Sequence, residues 1–290
     1  MVRRFLILTI LLLLLFGCAQ FGVSNNIGYP LLSFTSPLPE YHNYMPIFPR
    51  GYSSPDNRYV VWLGDIVEAR QAGLEYYNVA ARFGECEECL YQWVFPGHSI
   101  AAVASWAGQH PGHYYIIGDE PDQHDISPEE YIRWYEPYRV AILAIDPTAR
   151  VSLAGIAQPN PKVSPWGHGL EYLDALHQVG FETDELRVHA FASPGSLAAW
   201  KNYIMSWSTW RNINIPGVPI VLGTFGYPGT TEADPMAMAD LQAALQWLET
   251  TEIKSWFYWA WNKAGSLNNL WNDSSGLTVA GEIFLEEAKR

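Results

Sequence analysis

Tyr114-Tyr115-Ile116-Ile117-Gly118-Asp119-Glu120-Pro121-Asp122 is the stretch on which the fold turns. It begins as a β-branched and aromatic run, the composition of a buried strand. It ends in two adjacent acids and a proline, which cannot donate to a sheet ladder. Carboxylates at the mouth of a buried strand are costly to desolvate unless they are paired or put to use. Just beyond, Ser127-Pro128-Glu129-Glu130 has the form of a helix start. Ser127 caps, Pro128 takes the first helical position and Glu130 closes a capping box. Asp119 and Glu120 therefore fall on a strand-to-helix loop, which makes them the first candidates for chemistry.

The same alternation runs outward in both directions. Downstream, strands are expected at 151–156, 186–191, 218–222 and 254–261. Between and after them lie helices from 128 to about 145, 170–179, 197–210 and 235–248, with a final helix at 278–288. Upstream, 31–34 and 76–83 read as strands and 57–72 as a helix, shortened at its start if a further strand lies at 59–63. A loop carrying Glu85, Tyr91, Gln92 and Trp93 then leads to a helix at 98–109. With the strand at 59–63 counted, 114–118 is the fourth strand and 254–261 the eighth. Strands separated by helix-length segments imply parallel crossovers. Eight such units with acids at a strand end predict a (β/α)8 TIM barrel, whose chemistry lies at the C-terminal ends of its strands. No GxGxxG or P-loop is present, so no nucleotide cofactor is expected.

The chain opens differently. Arg3 and Arg4 precede an apolar run at 5–16, too short for a membrane span and of the length of a signal h-region. The ending Leu15-Phe16-Gly17-Cys18 resembles a bacterial lipobox, which implies cleavage before Cys18 and a lipid attached to it. An ordinary secretory signal with a chance cysteine is the alternative. The expected layout is a lipoprotein signal peptide at 1–17, a tether at 18–29 and one barrel domain at 30–290. The product is exported and held at the bacterial membrane or cell surface through Cys18 alone, or secreted, and is expected to be a monomer.

Cys86 and Cys89, in Cys86-Glu87-Glu88-Cys89, fit a loop disulfide in an oxidising compartment. No neighbouring cluster completes a zinc site, and no metal is expected. A net charge of −13 and a pI near 5.0 argue against nucleic acid or anionic surfaces as partners.

Arg82, Asp119, Glu120, His189, Thr224, Trp259 and Trp261 collect at the C-terminal ends of the expected strands, and Tyr91, Trp93, Trp166 and Tyr227 on the loops. Acids ringed by Trp and Tyr suit sugar recognition. Aromatic faces pack on pyranose C–H faces while carboxylates and His bond hydroxyls. With 13 Trp and 17 Tyr in the chain, any one of them can equally be core. Along Trp256-Phe257-Tyr258-Trp259-Ala260-Trp261 alternation splits the side chains between barrel and helices, and either set can face inward.

These features resemble a clan A glycoside hydrolase, specifically the glycosyl hydrolase catalytic core of alkali-sensitive-linkage proteins and their bacterial relatives. The family's Asn-Glu-Pro, usually followed by Asp, is matched by Asp119-Glu120-Pro121-Asp122. The resemblance implies that Glu120 is the general acid/base and that His189 and the strand-eight aromatics contact an oligo- or polysaccharide. The departures gather on one group. Where the family has a nucleophilic Glu on strand seven, Pro219-Ile220-Val221-Leu222-Gly223-Thr224-Phe225-Gly226 places Thr224. Asp119 replaces the motif's Asn, and Phe191 stands where a Tyr orients the nucleophile in many members. A neutral hydroxyl cannot do the second carboxylate's work.

Three accounts follow. One is an active glycosidase in which Glu120 works with a displaced carboxylate, Glu232 or Glu85, its proton affinity raised by Asp119 beside it. Another is a non-catalytic carbohydrate-binding protein that keeps the cleft. A structural surface protein on a borrowed barrel is a third.

Overall fold

The computed structural model describes residues 58–62, 66–74, 79–157, 169–226, 234–260, 269–273 and 275–289. All lie in one unit, Phe48–Arg290. The signal peptide, the tether, Cys18 and the strand expected at 31–34 lie outside the described residues, as do Trp166, Tyr227, Glu232 and Trp261.

Eight strands run parallel: β1 (Tyr59–Trp62), β2 (Val79–Arg82), β3 (Tyr91–Val94), β4 (Tyr114–Ile117), β5 (Arg150–Leu153), β6 (Leu186–Phe191), β7 (Ile220–Gly226) and β8 (Ser255–Tyr258). Pairing runs from β5 through β4, β3, β2, β1, β8 and β7 to β6. The remaining gap, between β5 and β6, is crossed by a parallel bridge from Ile156 to Val188. There the Ile156 N–H donates to Arg187 O and the His189 N–H to Ile156 O. The expected barrel is thus present.

Strand alternation sorts the buried side chains into two sets. Val60, Trp62, Ala80, Tyr91, Trp93, Ile116, Val221 and Phe257 point inward and fill the barrel. Tyr59, Val61, Val79, Ile117, Leu153, Val188, Leu222 and Trp256 point outward, against the helices. Trp259 packs against the inward set, which decides the orientation of the last strand's aromatics.

The helices are α1 (Ile66–Gln71), α2 (Ile100–Gln109), α3 (Pro128–Ile145), α4 (Leu170–Val179), α5 (Leu197–Asn214), α6 (Pro235–Leu248) and α7 (Val279–Ala288). Several start where their caps dictate. Ser127 Oγ accepts from the Glu130 N–H, Asp234 from those of Met236 and Ala237, and Thr278 from that of Gly281.

The strand expected at 59–63 is present as β1, and the helix after it is shortened to α1. Two expectations change. Tyr91, Gln92 and Trp93 form β3 rather than a loop. Strand β7 continues past Leu222 to Gly226. No helix joins β2 to β3. The connection carries the Cys86–Cys89 disulfide, with the Gln92 side-chain amide donating to both Cys86 O and Cys89 O. A staple of this kind fixes a connection too short to bury a helix of its own.

Tyr131 on α3 ties the outer layer to the sheet. Its buried hydroxyl donates to Ile117 O at 2.8 Å and accepts from the Ala154 N–H at 2.6 Å. Replacing it with Phe leaves a buried carbonyl and a buried N–H unanswered. Tyr131→Phe is therefore expected to lower the unfolding free energy by roughly 2–4 kcal/mol in a urea titration, with an unchanged slope.

Candidate active site

The site lies where β4 ends. Gly118 has φ +86°, and a Cβ on it would stand 2.4 Å from the Trp134 ring. Only glycine meets both conditions. Its carbonyl accepts the Trp93 indole N–H at 2.6 Å. Glu120 also has positive φ, +39°, which is uncommon away from glycine. Its N–H donates to Gly155 O at 3.1 Å. This pair of turns lifts the Glu120 side chain to the mouth of the barrel, 28% accessible. Asp122, fully buried, accepts from the Ala157 N–H at 3.0 Å and the Gly169 N–H at 3.2 Å. It thereby holds both ends of the connection between β5 and α4.

His189 on β6 donates from Nδ1 to Glu120 Oε1 at 2.7 Å. To do so its ring lies across β5. A Cβ at residue 155 would fall 1.9 Å from His189 Nε2, and one at residue 223 would fall 3.3 Å from Cδ2. Gly155 and Gly223 are thus the seat of the imidazole. Burial alone pushes the Glu120 carboxyl up, but the His189 hydrogen bond and charge outweigh it and hold the group below its ordinary 4.5. Burial pulls His189 down, and the bond to Glu120 with the nearby Asp119 and Asp122 charges more than reverses this, leaving it above 6.5. Between 4.5 and 6.5 the pair therefore stands as carboxylate and imidazolium.

Asp119 behaves in the opposite way from the expectation that it raises Glu120. Burial, with the Glu120 charge added and His189 opposing, pushes the Asp119 carboxyl itself up to about 6. The acid with the hydrogen-bonded cation is Glu120, so the like-charge cost falls on its neighbour. Asp119 makes no hydrogen bond or ion pair among the described residues, so it bridges neither Arg82 nor His189.

Thr224 is the register partner of His189 across β6 and β7, and so shares its inward face. Gly223 and Thr224 together occupy a bulge against β8. Thr224 is 2% exposed and its hydroxyl has no partner among the described residues. Arg82 ends β2, exposed. Trp259, half-buried, follows β8, and the peptide bond after it is cis. Trp93 is only 5% exposed, its ring 4.2 Å from Trp62 and 4.6 Å from Phe95, so it supports the site from below. Glu85 is exposed on the β2–β3 connection, where its N–H closes the strand end on Arg82 O.

The sequence reading assigned no role to Asp122, Gly155, Gly223 or Trp62, whose indole donates to Gly223 O at 2.7 Å. Glycine inside a strand pattern was the available signal, since it marks close approach of another group. Among the described residues, no group of three or more His, Cys, Asp or Glu side chains is arranged to hold a metal ion.

No protein-family model matches the chain, and no curated protein matches it. Solved structures do. One is a GH128 subgroup III curdlan-specific exo-β-1,3-glucanase from Blastomyces gilchristii in complex with glucose. It has a TM-score of 0.61 and 17% identity over 79% of this chain and 98% of that one. A GH128 subgroup IV endo-β-1,3-glucanase from Lentinula edodes gives 0.58 and 18%, over 80% and 100%. A subgroup I endo-β-1,3-glucanase from Amycolatopsis mediterranei in complex with laminaritriose gives 0.53 and 12%, over 80% and 99%. At such identities the likeness establishes the fold alone, a (β/α)8 TIM barrel.

The ion pair sets a pH window. Stability from the raised His189 is full below 6.5 and lost as pH rises through its folded value. That from the lowered Glu120 is full above 4.5 and lost as pH falls through its folded value. The pair's contribution is therefore complete between 4.5 and 6.5. Glu120→Gln is expected to lower the His189 titration, followed by imidazole NMR, since the Glu120 charge is lost while burial stays and only the Asp119 and Asp122 charges still oppose it. An unmoved His189 titration refutes the pairing.

Proposed function

We propose that this protein is a carbohydrate-binding lipoprotein of the cell exterior. It uses the mouth of a glycoside-hydrolase barrel to hold a β-linked polysaccharide without the usual two-carboxylate hydrolysis. The observation that carries this reading is the Glu120–His189 pair at 2.7 Å with Thr224 beside it in register. A general acid has to keep a proton near the working pH. Here Glu120 is paired as a carboxylate, and Thr224 brings no second charge to push its proton affinity up. What is left is a polar cluster at a barrel mouth, with Trp259 on the inward set, which supports binding of sugar hydroxyls and ring faces. The fold neighbours are β-1,3-glucanases, one of them complexed with laminaritriose, which supports a β-glycan as ligand.

Hydrolysis is the second reading, and the part-exposed Glu120 side chain favours it. Glu120 then works with Glu232 or Glu85, about 5 Å away for retention or roughly 6.5–9.5 Å for inversion.

Calorimetry against β-1,3-glucose, β-1,4-glucose and β-1,4-glucosamine oligomers is expected to give a Kd between about 1 μM and 1 mM for at least one, with no shorter products on incubation. Cleavage that vanishes in Glu120→Gln establishes the hydrolase instead. Silence across the panel without cleavage removes both readings.

The lipobox resemblance carries the anchoring proposal. Cells fed labelled palmitate are expected to label the protein, and Cys18→Ala to abolish the label and release the protein from the membrane fraction. An unlabelled wild type establishes the plain secretory signal.

A further inference from the structure

Among the described residues, the charges at the barrel mouth do not balance. Glu120 and His189 neutralise one another at 2.7 Å, and Asp122 is answered by two backbone N–H groups. Asp119 is left over. It is half-buried, close enough to His189 and Glu120 to feel both charges, and has no partner among the described residues. A carboxylate placed where water solvates it poorly is stabilised by a cation, and among the described residues the imidazolium near it, His189, is already hydrogen-bonded to Glu120. A second group on another strand is also unanswered. The Thr224 hydroxyl, on the inward face beside His189, is buried without a hydrogen bond among the described residues. Buried hydroxyls are rarely left so unless a water or a ligand completes them. Together these two groups ask for a ligand that brings both hydrogen-bonding groups and positive charge.

The whole molecule points the same way. A net charge of −13 attracts a cationic polymer at long range and disfavours an anionic one.

Resting on the sugar-binding reading above, we propose that the ligand is a cationic glycan, a β-linked oligomer of unacetylated amino sugar, with Asp119 as the counter-charge to its ammonium group. An acid accepts from an ammonium where an amide in the same place offers a donor as well. Asp119 thus serves as a specificity-determining residue, and N-acetylated or neutral sugars lose the contact. Among the described residues, the charged groups that act on Asp119 are Glu120, Asp122 and His124 on its own loop and His189 from β6. The imidazolium opposes an incoming ammonium, so the contact depends on Asp119 being ionised.

The test compares three hexamers on the full chain by calorimetry: β-1,4-glucosamine, β-1,4-N-acetylglucosamine and β-1,3-glucose. Near pH 7 the glucosamine hexamer is expected to bind at least about tenfold more tightly than either other. That preference shrinks with added salt and towards about pH 5, where Asp119 takes up a proton. Asp119→Asn, nearly isosteric and checked for an unchanged melting temperature, is expected to erase the preference, the glucosamine hexamer then binding no more tightly than the neutral ones. Equal or tighter binding of a neutral hexamer by the wild type overturns this inference and leaves the sugar-binding reading standing. A preference that survives Asp119→Asn overturns the assignment to Asp119. Failure of every hexamer to bind overturns the inference and the reading beneath it together.

Discussion

An imidazole that has to cross one strand to reach a carboxylate on the next imposes a constraint on the middle strand. His189 stands on β6 and Glu120 at the end of β4, with β5 between them. The ring passes over residue 155, and it passes because that residue has no side chain. The same stretch closes the barrel, since Ile156 forms the bridge to Val188. Its Gly155 carbonyl also accepts the N–H of Glu120. Closure of the ring and assembly of the charged pair therefore depend on three consecutive residues, Gly155 through Ala157, the last of which is held by Asp122.

Beneath the pair, polarity continues into the barrel. Arg187, two residues before His189, is fully buried. It donates to Ser152 Oγ at 2.8 Å and Glu185 Oε2 at 2.9 Å, and lies 4.5 Å from the centroid of the Phe257 ring. Lys254 completes the group at 2.7 Å from Glu185. Burying such a triad is seldom a net gain in stability, because desolvation offsets the attraction. Its effect is positional: a guanidinium held by Ser152 of β5, by Glu185 just before β6 and against the Phe257 ring of β8 fixes the height of β6, and with it the height of His189.

Much of the fold was legible because it is written in local chemistry. Ser127-Pro128, Asp234-Pro235 and Thr278 announce helix starts by capping, and the structure uses all three. Strand β3 was not legible. Tyr91-Gln92-Trp93-Val94 mixes polar and aromatic residues, and β2 reaches it through eight residues stapled by a disulfide rather than through a helix. Parallel neighbours ordinarily need longer crossovers, so the pattern argued against a strand. The end of β7 was hidden by Gly223 and Gly226, which read as strand breakers but allow close approach of the His189 and Phe191 rings. At the site, Glu120, Asp119 and His189 could be named from type and position. Which acid keeps its charge could not, because that depends on a histidine 69 residues away in sequence.

Asp122 gives the connection between β5 and α4 a fixed hinge-plate. One carboxylate grips the chain as it leaves the sheet, at Ala157, and again as it enters the helix, at Gly169. Because both anchor points are backbone amides, the grip is indifferent to what lies between them. Lengthening, trimming or rewriting the intervening segment leaves its two footings in place beside Glu120. The footing of the charged pair is thus set by two main-chain contacts and not by the side chains of the segment they bracket.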